Sequence, residues 1–401
     1  MKIEIRKLKP EEKVHSKLMA SICFMRTIPP EDRYPWLEKP EEHTKDYDIC
    51  WGAFDENGRL LSSMMIIPAT IRVNGHRVKA GLISGVMTLP EARNSRCVRQ
   101  IFDVTMEEMK KDGVVYSLLY PFSFPFYRKF GYERAYSRPR ATFPISGLSR
   151  FPFPDGMKVH DKGGPWADFA KVYEVFAEGK NLAVVRGEKE WTRMLDRDPH
   201  KKREFTYIHY NKTGQPDGYV LYKPVVKDAS NVTMNITELV WADKPGLEAM
   251  LGFIHGMRSE YTQVSCPFPE LFDAYGLVED HWTMSVSPDA HIMNRVVDVL
   301  KALEQMDIPP GKGEFVIGVT DKFLHSNTGA YGIAWEGGAL RVETSHQPPD
   351  FEVDVETLVQ LTTGYLTPAQ VIYRDNVAIH GKMEELTAFF PKKDLFMMEA
   401  F

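Results

Sequence analysis

The sequence predicts an α/β protein with mixed sheets, divided into three parts, and three observations carry that prediction. Strand-like and helix-like segments alternate through the first third, the pattern of a sheet covered by helices. The order of elements in residues 49–122 recurs later in the chain, as a duplicated unit would make it. A length of 401 residues exceeds what a single hydrophobic core organises.

Each element follows from its residues. MKIEIRKL at the start reads as a strand, and EEKVHSKLMASICF after it as a helix, with apolar residues at three- and four-residue steps. A polar, Pro-rich loop fills Thr27–Lys45. Residues 49–89 predict strands joined by Glu56-Asn57-Gly58 and Asn74-Gly75, which are hairpin signals, until Pro90 stops them. VRQIFDVTMEEMKKDG predicts an amphipathic helix closed by Gly113, and VVYSLLYP a buried strand. The segment PFYRKFGYERA, residues 125–135, then packs five aromatic and glycine positions into barely two helical turns. Its spacing predicts Phe126 and Phe130 turned inward and Tyr127 turned toward a substrate, since adjacent helical positions diverge.

Gly- and Pro-rich residues 146–166 mark the first boundary. Beyond it come a hairpin pattern (KREFTYIHYNKTGQPDGYVLYKPV), a strand (NVTMNITELVWA), a helix (KPGLEAMLGFIHGMRSE) and a strand ending in proline (TQVSCPFP). This second copy lacks the Arg-containing turn of the first. HIMNRVVDVLKALEQM predicts a helix ended by Pro309-Pro310, followed by strand-like FVIGVTD, AYGIAWEGG and ALRVETS and two short helix patterns. The expected division is 1–148, 149–288 and 289–401.

Composition narrows the function. The net charge of −5 comes with scattered basic residues, so no nucleic-acid footprint is expected. The charged N-terminus lacks a signal-peptide core and no apolar run reaches bilayer length, which predicts a cytoplasmic protein without a membrane partner. Cys23, Cys50, Cys97 and Cys266 stand apart, and the histidines form no HExxH-type cluster, so no metal is expected.

The chemistry gathers in GLISGVMTLPEARNSRCVRQIFDVTMEEM. A strand, a turn rich in arginine and a helix N-terminus make an anion-binding arrangement, because unpaired N–H groups and the helix dipole face the turn. Arginines add charge-assisted bonds suited to phosphate. Cys97 in this turn reads as a small apolar side chain rather than a nucleophile.

The succession of strand, Arg-containing turn, helix, strand and FYRKFGY resembles the Gcn5-related N-acetyltransferases (GNAT). Over nearly all of its length the chain is similar to the Eis (enhanced intracellular survival) family, in its three-part layout, the FYRKFGY segment and the terminal Phe401. The resemblance implies tandem GNAT-like acetyltransferase domains, the second degenerate, and a C-terminal domain like sterol carrier protein 2. It implies acetyl-CoA as co-substrate, a small-molecule amine as acceptor, and a homo-oligomer, hexamer or trimer. Carried onto this sequence, Val86, Met87 and Thr88 lend backbone groups to the pantetheine arm. Arg93, Asn94, Ser95, Arg96, Cys97, Val98 and Arg99 form the pyrophosphate loop, and Phe122 and Ser123 complete the cofactor site. Tyr127 is the general acid and the carboxylate of Phe401 the general base. Phe24, Tyr34 and Trp36 wall a pocket for aminoglycosides, polyamines or lysine side chains, where Arg26 replaces a family acid. The chain also departs from the family's R-x-x-G loop, with Arg96 at the glycine position. On that departure rests a rival reading, a scaffold with a decayed cofactor loop, and the third domain suggests another, a lipid binder. The residue types suit acetyl transfer: an alkylammonium with a pKa of about 10 needs a base, and a departing thiolate needs a proton.

Overall fold

A computed structural model describes residues 2–28, 38, 49–228 and 231–401. Tyr34 and Trp36 lie outside the described residues. The first unit runs β1 (Glu4–Lys7), α1 (Lys13–Cys23), β2 (Ile49–Phe54), β3 (Leu60–Val73), β4 (His76–Thr88), α2 (Cys97–Lys111), β5 (Tyr116–Leu119), α3 (Phe124–Arg128) and β6 (Glu133–Pro144). The second runs β7 (Met157–Val159), α4 (Ala167–Ala177), α5 (Glu188–Leu195), α6 (Pro199–Lys202), β8 (Phe205–Tyr210), β9 (Pro216–Asp228), β10 (Asn231–Trp241), α7 (Lys244–Gly256), β11 (Gln263–Pro267) and β12 (Ser285–Val296). The third holds α8 (Val299–Glu304), β13 (Lys312–Thr320), β14 (Gly329–Glu336), β15 (Ala339–Ser345), β16 (Phe351–Asp354), α9 (Val355–Thr362), α10 (Pro368–Val371), β17 (Ala378–Ile379) and α11 (Met383–Phe389).

Local chemistry explains the first unit well. Asn74 and Gly75 both take positive φ, 50° and 76°, so the β3–β4 hairpin turns as its Asn-Gly pair requires. Gly113, at φ 76°, follows the Asp112 cap of α2. The α2 face bearing Ile101, Phe102, Met106 and Met109 is buried, at three- and four-residue spacing.

The first two units share one twelve-stranded sheet, in the order β1-β2-β3-β4-β5-β12-β6-β11-β10-β9-β8-β7. From either end it reads five strands of one unit, then the other unit's sixth strand, then its own. β5 pairs antiparallel with β12, β12 with β6, and β6 with β11. The units have thus exchanged their last strands, and neither sheet is complete alone. The third domain carries a separate sheet, β15-β14-β13-β16-β17.

One expectation is corrected here. Residues 291–306 were to form one helix, but His291–Val296 belong to β12 and only Val299–Glu304 are helical. The apolar run Ile292, Met293, Val296 is fully buried between β5 and β6, where a strand fills the gap and a helix would not fit. The helix starts at Asp298, whose carboxylate accepts from the Lys301 N–H. The expected boundary at 288/289 therefore falls inside β12.

β12 also explains a glycine. Arg295 is completely buried, pairs with Asp321 at 2.6 Å, and donates to the carbonyl of Phe130. Gly131 sits at φ 75°, and a Cβ there would overlap the Arg295 guanidinium. Because that guanidinium is held by Asp321, it cannot step aside. Gly131→Ala is expected to lower stability by about 2–4 kcal/mol. Urea unfolding followed by circular dichroism checks this, and an unchanged midpoint would refute it.

Candidate functional site

The site begins with a break in the sheet. β4 and β5 pair in parallel from Ala80↔Tyr116 to Ile83↔Leu119, but β4 runs on to Thr88. At Gly85, φ 58°, β4 bulges: its register with β3 shifts between Met65↔Ser84 and Ser63↔Met87. β5 ends at Leu119, so β4 beyond Ile83 has no strand partner on that side, and this unpaired stretch is the opening. Val86, Met87 and Thr88 form its β4 wall. Ser62 Oγ donates to the Met87 carbonyl at 2.6 Å, and Cys23 Sγ lies 3.4 Å from the Thr88 carbonyl, which pins this wall from behind.

Beyond the wall the chain turns into α2. Asn94 and Arg96 both take positive φ, 68° and 59°, so Arg96 occupies the left-handed conformation that a glycine would hold at no cost. As the N-cap of α2 it makes no side-chain cap bond, so the first N–H groups of the helix have no capping side chain. Arg93, Asn94, Arg96 and Arg99 are exposed there, while Ser95 and Val98 are half-buried. A fifteen-residue helix with an open, arginine-ringed N-terminus fits a pyrophosphate. Cys97 is buried at 2 % exposure, the setting of a small apolar side chain.

Across the opening stands α3. Ser123 caps it, its hydroxyl accepting from the Phe126 N–H at 3.4 Å, and Phe122 beside it is exposed. The structure differs from the expected split of α3: Tyr127 is buried at 3 % exposure like Phe130, and Phe126 is only half-buried. Phe130 stacks on Phe102 at 4.3 Å, and Tyr127 meets Phe102, Phe122, Phe126 and Tyr132 edge-on. In a five-residue helix the next turn, Phe130-Gly131-Tyr132, folds back over Tyr127, which helical spacing does not anticipate. Burial pushes the Tyr127 hydroxyl well above its ordinary value, so it stays protonated through neutral pH. It makes no hydrogen bond among the described residues.

Phe401 lies on the other side of the sheet. Strand alternation sends Gly81 and Ile83 toward α2, where a Gly81 Cβ would come 2.6 Å from Met109 Sδ. Tyr127 belongs to that cluster. Val78, Ala80, Leu82, Tyr116 and Leu118 face the opposite cluster, against which Phe401 packs. Its ring is 5.0 Å from that of Tyr120, just past β5. A cavity of about 1330 Å³ is walled by Ile67, Ala69, Val184, Glu399 and Phe401 on this side and reaches Thr105 and Met109 of α2 on the other. Tyr127 and residues 93–99 are not in its wall. The two expected catalytic residues thus approach the β4–β5 opening from opposite faces. Of the expected acceptor-side residues, Phe24 is exposed at the end of α1.

Sequence reasoning missed what holds the tail. Leu395, Phe396 and Met397 are buried, and Asn181 exchanges backbone bonds with Asp394 and Phe396. Glu399 accepts from Arg186 Nε at 2.7 Å, while Glu238 takes the rest of that guanidinium at 2.8 and 2.6 Å. The Tyr120 hydroxyl donates to the Glu399 carbonyl at 2.7 Å. Only the apolar character of the tail hinted at this burial.

In the second unit the equivalent features are closed. Arg140 reaches between β10 and β11, donating to the carbonyls of Ile236 and Ser265 at 3.0 and 3.1 Å. Asp243 caps α7, accepting from Gly246 N–H at 2.8 Å, so an anion there would meet a carboxylate. Among the described residues no group of histidine, cysteine and carboxylate side chains could hold a metal. None of their helices is long and apolar enough to cross a membrane.

Comparison with known proteins matches the three-part layout. Residues 4–135 and 182–292 each match an acetyltransferase (GNAT) domain, and residues 299–398 a sterol carrier protein domain. A probable N-acyltransferase from Enterococcus faecalis is 22 % identical, with TM-score 0.83 over 98 % of this chain and 99 % of the other. A GCN5-related N-acetyltransferase from Anabaena variabilis is 20 % identical, with TM-score 0.85 over the whole of both chains. Eis1 from Mycobacterium abscessus is also 20 % identical, with TM-score 0.82 over the whole of both. No curated protein matches the chain.

The left-handed backbone at Arg96 has a measurable cost. Arg96→Gly is expected to stabilise the protein by about 0.5–1 kcal/mol, the αL penalty less glycine's added chain entropy. Denaturant titration reads it, and a loss of stability would show that the guanidinium is holding the turn.

Proposed function

We propose that this N-acetyltransferase of the GNAT type moves the acetyl group of acetyl-CoA directly to a primary amine, with both substrates bound together. The observation that carries the reading is the placement of Tyr127 and Phe401 on opposite faces of the sheet, flanking the opening between β4 and β5. Acetyl-CoA enters on the α2 side, its pyrophosphate at residues 93–99 and its pantetheine along Val86–Thr88, with Phe122 and Ser123 at the far wall. The acceptor, an amine of the aminoglycoside, polyamine or lysine type, comes from the cavity that Phe401 lines.

The steps balance with these groups alone. The ammonium gives a proton to the Phe401 carboxylate, and the free amine attacks the thioester carbonyl. As the C–N bond forms and the C–S bond breaks, the leaving thiolate takes the Tyr127 hydroxyl proton. The second proton shed by the nitrogen restores the tyrosine. A phenol kept neutral by burial suits this role, and no covalent enzyme intermediate is required.

Acetylation of an amine panel with acetyl-CoA, followed by thiol release, tests the activity. Tyr127→Phe is expected to lower kcat about 100-fold, the usual worth of a positioned general acid, with folding retained. Wild-type turnover would return Tyr127 to the core. Extending the chain by a few residues past Phe401 is expected to abolish turnover while calorimetric acetyl-CoA binding persists. A tagged protein that turns over normally would rule out the terminal carboxylate as base.

A further inference from the structure

The terminal residue of a chain is normally the most mobile, yet a base must be held to within a fraction of an ångström. A device in this fold addresses that conflict. Arg186 follows Leu182–Val185, which pairs with the exposed edge of β3: Leu182 N–H donates to the Arg72 carbonyl at 2.7 Å and Val185 N–H to that of Thr70 at 2.8 Å. Its side chain is only 2 % exposed and lies over the Tyr173 ring at 3.9 Å. Glu238 of β10 occupies both terminal nitrogens and is itself held by the Tyr219 hydroxyl at 2.5 Å. That leaves Nε, which points at the Glu399 carboxylate, two residues before the chain end.

We propose that Arg186 is a positioning residue for the terminal carboxylate, acting through Glu399. The guanidinium fixes the Glu399 side chain, the Tyr120 hydroxyl fixes its carbonyl, and the Tyr120 ring flanks that of Phe401. With residue 399 held at both side chain and backbone, the last two residues have little freedom left. The arginine is itself immobile because Glu238 neutralises it independently of the tail, so Glu399 docks on a preformed site rather than building one. This inference rests on the reading of the Phe401 carboxylate as the general base, and it assigns the second unit a task in the first unit's chemistry.

Glu399→Ala removes the grip while Glu238 still neutralises Arg186, and Glu399→Gln keeps an oxygen for Nε. The expected result for Glu399→Ala is a fall in kcat of at least about tenfold, as for a misplaced catalytic group, with the KM for acetyl-CoA within about twofold. Glu399→Gln is expected to recover most of that loss. In the Glu399→Ala background, a C-terminal extension should cost clearly less than in the wild type, because both act on the same carboxylate. Wild-type kcat in Glu399→Ala, beside a dead extended protein, overturns the inference and leaves the base assignment standing. Full activity of the extended protein instead overturns the base assignment itself. Loss of acetyl-CoA binding in Glu399→Ala would also overturn the inference, by showing Glu399 to be a general structural support.

Discussion

A guanidinium buried as deeply as that of Arg186 has to be matched by carboxylates, and this constraint ties the molecule together. Burial alone would weaken its charge, but Glu238 and Glu399 outweigh that and hold it well above its ordinary value. One carboxylate comes from the centre of the second unit's sheet and the other from the end of the chain. Removing Glu238 would typically cost about 3–5 kcal/mol, because the buried guanidinium would lose the carboxylate that holds both of its terminal nitrogens. Glu399 adds one further charge-assisted bond, at Nε, and so ties the tail to the second unit.

Asn181, in the stretch that leads to Arg186, makes a second junction. Asn181 donates to the Asn74 side chain at 3.0 Å and to the Thr363 carbonyl at 2.9 Å, and accepts from the Asn74 N–H at 2.8 Å. One buried amide thus joins the β3–β4 turn, the second unit and the end of α9. Buried amides need these partners, since an unsatisfied one would cost about 1–3 kcal/mol. The exchange of β6 and β12 joins the first two units, and these contacts tie both to the third. The opening between β4 and β5 is bordered by elements of the first unit, but β12 flanks β5 and Phe401 packs against the far face.

The two units also show how one architecture keeps a cleft and loses it. β4 runs past the end of β5 with a bulge at Gly85, and the α2 N-terminus is left without a capping side chain. In the second copy an arginine from β6 fills the corresponding space, and an aspartate occupies the helix N-terminus. Each closing residue satisfies backbone groups that the first copy leaves open.

Local features of this protein were written in the sequence. The Asn74-Gly75 turn, the amphipathic α2 with Gly113 and the repeated order of elements follow from turn chemistry and periodicity, which act over a few residues. The strand, turn and helix start around residues 93–99 were also legible, because they are contiguous. Tertiary structure alone decided the rest. His291–Val296 became a strand because the gap between β5 and β6 needed one, overriding helical spacing. Gly131 was required by Arg295, and Tyr127 was buried by the turn that follows it. Arg186 met Glu399 from 213 positions away. Which charges pair, and which face of a shared sheet a residue reaches, depends on how distant strands are ordered, and no short window of sequence carries that order.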